Sequence, residues 1–168
     1  MSREIINTIL LFIGLILLQV IILNNINFLG YINPMLYVLF VFFYPIKKLD
    51  FTFLFLSFLL GLSIDFFLNS GGVNAAATLF MAYIRMPVIK AVLRRSELDY
   101  SSLIFRKLKF SKSVSILSIL ILIHHFIVFQ LEYFRLDSFF TIILKTILTG
   151  IFTLVLVLLS IVFFTKKK

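Results

Sequence analysis

The apolar residues of this chain fall into long blocks separated by short polar or basic stretches, and the block lengths match what a bilayer demands. A hydrocarbon core about 30 Å thick takes roughly 20 helical residues to cross. By that measure residues 5–23, 51–68, 114–131 and 139–164 each predict a transmembrane helix. Two further blocks are interrupted by proline. Asn33-Pro34 opens a run that reaches Pro45 about a dozen residues later, so a span over 35–49 requires tilt or a kink. The other starts at Val73 and passes Arg85 and Pro87, and a span over 73–93 lets Arg85 and Lys90 snorkel toward the interface. The pattern predicts an all-α integral membrane protein, a six-transmembrane-helix bundle forming a single membrane domain over 1–168. The first block is too long for a secretory h-region and no small-residue cleavage pattern follows it, so it is read as an uncleaved span.

Composition agrees: 62% hydrophobic residues and a mean hydropathy of +1.16 exclude an ordinary soluble domain. The net charge of +9 would suggest a nucleic-acid partner in a soluble protein. Here the basic residues sit between and beyond the apolar blocks, so they report topology instead, and no nucleic acid is expected. With six spans and the N-terminus inside, 14 of the 16 lysines and arginines fall on the cytoplasmic side, which places both termini there. There is no cysteine, hence no disulfide framework and no thiolate metal site.

Few polar residues lie within the blocks. Ser57, Gly61 and Asp65 are spaced four apart and share one helix face, a small-residue stripe that lets another helix approach. Together with Gly72 in the following turn they form the expected helix-packing or partner face. A lone carboxylate in hydrocarbon is costly, and depth along the spans puts Lys145 level with Asp65, so an Asp65–Lys145 pair is expected. His124-His125 fall near the middle of the fifth span and Glu132 at its outer end. Asp65, His124, His125, Glu132 and Lys145 thus make a candidate buried polar cluster. His125 and Glu132 share a face, but two ligands are too few for a metal site, and no metal or other cofactor is expected. Neither a nucleophile motif nor a phosphate-cradling loop occurs, so no enzyme is expected. Arg94, Arg95, Arg106, Lys107, Lys109 and Lys112 form a basic patch suited to anionic lipid head groups or an acidic cytoplasmic partner.

The stretches NPMLYVLFVFFYP, GLSIDFFLNSGGVNAAATLFMAYIR and HHFIVFQLEYF, in that order and spacing, resemble the rod shape-determining protein MreD family, its Bacteroidota-type members in particular. The resemblance rests on Gly61, Leu62, Asp65, Gly72, Tyr83, Arg85, His124, His125 and Glu132. It departs at Ser70-Gly71, where the family has proline, and at Val73-Asn74, where Met-His is usual. It implies a non-enzymatic scaffold of the cell-wall elongation machinery in the bacterial inner membrane. Its partners would be an MreC-like single-span periplasmic protein, an MreB-like cytoskeletal filament, and the wall-synthesis transpeptidase and glycosyltransferase. The implied bundle is similar to the substrate-binding subunits of energy-coupling-factor transporters. The alternative function is therefore binding of a small vitamin-like molecule.

Overall fold

A computed structural model describes residues 3–26, 32–45, 51–94, 108–134 and 139–165. These are almost wholly helical. Helix α1 (Arg3–Leu17) widens into a π turn at Leu18–Ile22 and tightens into a 3-10 turn at Leu23–Asn25. A 3-10 turn at Leu36–Val38 leads into the short α2 (Leu39–Phe43). Four long helices follow: α3 (Phe51–Leu68), α4 (Val73–Leu93), α5 (Phe110–Tyr133) and α6 (Phe139–Thr165). Among the described residues five helices are long and apolar enough to cross a membrane, namely α1 with its extension and α3 to α6. Their bounds agree with the predicted blocks, α3 and α4 to the residue.

The predicted span over 35–49 is described only as far as Pro45, and up to there it is not one continuous helix. Within its described part only Leu36–Phe43 is helical, and Tyr44 is already extended at ψ 133°. The cause is Pro45, whose ring forces the preceding residue out of the helical region and which has no N–H to continue the ladder. Residues 46–50 lie outside the described residues. This short segment is nevertheless the most enclosed part of the fold: Tyr37, Val38, Phe40 and Val41 are fully buried. Pro87, by contrast, is accommodated inside α4.

Contacts fix the directions of the elements. Helices α3, α4, α5 and α6 pack in sequence order as antiparallel neighbours. Tyr37 meets Asn74 near the start of α4, whereas Val41 and Tyr44 meet Arg85, about three turns further along, so the short segment runs parallel to α4. Gln19, in the turns that extend α1, meets Pro34 and Leu36, so α1 runs antiparallel to that segment. Directions alternate throughout, and the start of α1 lies at the same end of the bundle as the end of α6. Outward faces carry aliphatics and aromatics such as Ile9, Leu10, Phe55, Phe66, Phe140 and Ile151, as a lipid-facing surface requires.

Candidate functional site

Pro45 sets the site in motion. The carbonyl of Val41 would normally accept from the N–H four residues on, and proline has none. Arg85 fills the gap: its Nη1 donates to Val41 O at 2.7 Å and to Tyr44 O at 3.1 Å. The guanidinium also lies 4.0 Å from the centre of the Phe53 ring, a cation–π contact from α3. Arg85 is only 2% exposed, so the expected snorkelling is corrected. The arginine turns inward because the broken helix presents it with bare carbonyls.

The other end of the short segment is capped by side chains as well. The first N–H groups of a helix lack internal partners. Gln19 Oε1 accepts from Leu36 N at 2.8 Å, and the Gln19 amide donates to Pro34 O at 2.9 Å. Met35 N donates to Thr153 Oγ1 at 3.1 Å. Gln19 sits in the π turn that follows α1, a local widening often found where a side chain is needed at a particular angle. Side chains from the first span, α4 and α6 therefore terminate a helix to which none of them belongs.

Asp65 organises the α3–α4 junction. Asn69, Gly71 and Gly72 have positive φ, and the reversal they make aims the start of α4 at the end of α3. Asp65 Oδ1 accepts from Asn74 N at 2.9 Å, from Asn74 Nδ2 at 3.0 Å and from Ser70 Oγ, and Oδ2 accepts from Ala75 N at 2.7 Å. A carboxylate at a helix N-terminus meets both orphan donors and the positive end of the dipole. The expected Asp65–Lys145 pair is corrected: among the described residues Asp65 takes its donors from α4 and the turn. The Lys145 ammonium instead lies 5.0 Å from the centre of the Tyr133 ring. Gly61 lets this happen, since a Cβ there would come within 2.5 Å of Asn74 O and 2.6 Å of Ala75 Cα. Ser57, also on the stripe, is buried and bonds back to Phe53 O. Gly72 is not a packing residue, because a Cβ there meets nothing within 4 Å; its role is its φ of 95°.

No protein-family model, curated protein or solved structure matches the chain. The chemistry open to it follows from the geometry. From Asp65 the network continues inward through Asn74, whose Oδ1 accepts from the Tyr37 hydroxyl at 2.7 Å. With that proton committed, the Tyr37 oxygen accepts from His124 Nε2 at 3.2 Å, and Thr78 Oγ1 lies 3.5 Å from the same nitrogen. His124 Nδ1 is buried without a partner among the described residues. His125 faces away from this chain of bonds. Its Nδ1 must donate to Ile121 O at 2.8 Å, since a carbonyl only accepts, which leaves Nε2 to accept from Thr153 Oγ1 at 3.1 Å.

The predicted cluster thus splits. Asp65 and His124 are joined through Asn74 and Tyr37, His125 belongs to the α5–α6 seam, and Glu132 is exposed at the end of α5. Among the described residues no three His, Cys, Asp or Glu side chains group as metal ligands. Of the basic patch, Arg94 and Lys109 are exposed and Lys112 Nζ donates to Val92 O at 2.8 Å; Arg95, Arg106 and Lys107 lie outside the described residues. Gln19, Asn74 and Thr153 are additions that sequence reasoning misses. Asn74 is legible as a polar residue just after a glycine turn, whereas Gln19 and Thr153 matter only because the second helix is broken.

Proposed function

We propose that the chain is a non-enzymatic MreD-type scaffold subunit of the bacterial cell-wall elongation machinery, resident in the inner membrane. The observation that carries this reading is how the buried polar side chains are used. Asp65, Asn74, Tyr37 and Gln19, and Arg85 through its terminal nitrogens, engage one another or backbone groups, which holds helices in register. Neither Asp65 nor either histidine lines the cleft that runs along α1. A rigid bundle with lipid-facing outer helices suits the holding of partner spans.

In this proposal the chain crosses six times, with Leu36–Phe43 and its flanks serving as the second crossing and both ends in the cytoplasm. The alternating directions and the basic residues at one end support that topology. The MreC-like protein would pack its span on the bundle, with the MreB-like filament on the basic side and the transpeptidase and glycosyltransferase in the same assembly. The cysteine-free chain suits single-cysteine labelling: Asn69→Cys is expected to react with an impermeant reagent from outside and Lys112→Cys only after permeabilisation. Depletion tests the function. Rounded cells with misplaced wall insertion are expected, while unchanged shape with lost uptake of a vitamin-like solute would overturn the scaffold reading.

A further inference from the structure

Helix α1 is the least enclosed of the five membrane-length helices. Gln19 ties its C-terminal extension to the short segment and Phe12 meets the Phe40 ring, yet only 11% of this span's apolar stretch is buried, against 44% for α5. A cleft of about 780 Å³ opens between α1, the segment ending at Pro45, and α6. The cleft is graded along its length. Asn7, Thr8, Tyr44 and Ser160 line one end, and Leu11, Leu15, Leu18, Leu36 and Leu39 line the rest. Leu10 and Gly14, both exposed, form its outer rim.

We infer that this cleft holds one anionic phospholipid, its acyl chains against the leucines and its phosphate at Asn7 and Arg3. Three observations favour that occupant. Asn7, Leu11, Gly14 and Leu18 follow helical spacing down one face of α1, and Arg3, four residues before Asn7 and exposed, extends the same face by one turn. A positive charge therefore stands where the polar end of the cleft opens. The cleft runs beside α1 from residue 7 to residue 18, about 16 Å, an elongated trough along which an extended acyl chain can lie. The polar-to-apolar gradient also matches a lipid molecule, which an apolar partner helix would not require.

Gly14 provides the test, because it lines the cleft and a side chain there meets no atom within 4 Å at its Cβ. The full chain, purified in detergent, is titrated with dioleoyl phosphatidylglycerol or dioleoyl phosphatidylcholine and followed by native mass spectrometry. One phosphatidylglycerol per chain is expected, bound at least about ten-fold more tightly than phosphatidylcholine. Gly14→Phe should abolish that adduct without shifting thermal unfolding, with Leu10→Trp as a second way to fill the rim. Arg3→Gln should equalise the two lipids. Retention of the adduct in both cleft-filled variants overturns the inference, as does equal binding of the two lipids to the native chain. So does a photo-crosslinker at Leu10 that captures a polypeptide, including a second copy, in place of lipid.

Discussion

Two edges of this bundle are both built from apolar helices long enough to cross a membrane, and they behave in opposite ways. At the α3–α4 hairpin, a glycine without which the backbones would collide and a carboxylate with four donors lock the helices together. At the α1 edge the junction is made by one glutamine and by apolar contacts such as Phe12 on Phe40, and a cleft remains beside it. Inside lipid, apolar surface gains little by facing another helix, since the tails are as apolar as leucine. What decides whether a span is welded in or left loose is close backbone approach and polar bonding. Hydrophobicity only decides that it is a span.

The sharpest break of that contrast is a matched glycine pair. Gly61→Ala drives a methyl group into the backbone of Asn74 and Ala75, which cannot step aside, and should cost about 3 kcal/mol or prevent folding. Gly14→Ala meets open space and should be neutral, or stabilising by up to about 1 kcal/mol. Reversible unfolding in mixed SDS micelles measures both. Next, Asp65→Ala strands the N–H groups of Asn74 and Ala75 and should cost about 2–3 kcal/mol, with Asp65→Asn intermediate. A smaller effect, about 1–2 kcal/mol, is expected of Gln19→Leu. Hydrogen exchange at Leu36 and Tyr37 should accelerate while α3 and α4 stay protected, which separates the loose edge from the welded one. Smallest is Lys145→Ala, roughly 0.5–1 kcal/mol for a cation beside the Tyr133 and Phe129 rings. Reversing both charges, Asp65→Lys with Lys145→Asp, should restore nothing lost in Asp65→Lys alone.

The long spans are readable from sequence because length, glycine turns and basic flanks all point the same way, and α3 and α4 fall where the pattern puts them. The short helix of residues 36–43 is not, and Pro45 is the reason: apolarity continues where the hydrogen-bond ladder cannot. For Asp65 the pattern shows a residue that needs a partner but points to the wrong one. Depth along a span is one coordinate, and pairing also needs rotation about the helix axis, which hydropathy does not carry. The nearer donors are the backbone amides just past the Gly71-Gly72 turn, nine and ten residues away in sequence. Arg85 looks like one more inner-face cation until the carbonyl left free by Pro45 comes into view.

The capped short helix has a consequence for biogenesis. Eight helical residues with unsatisfied ends make a poor passenger for a membrane insertion machine that handles one span at a time. The groups that finish them arrive later in synthesis: Arg85 is made 44 residues after Val41, and Thr153 118 residues after Met35. The short segment therefore receives the last of these partners only once α6 has been made, and its ends are finished by the bundle that it then fills.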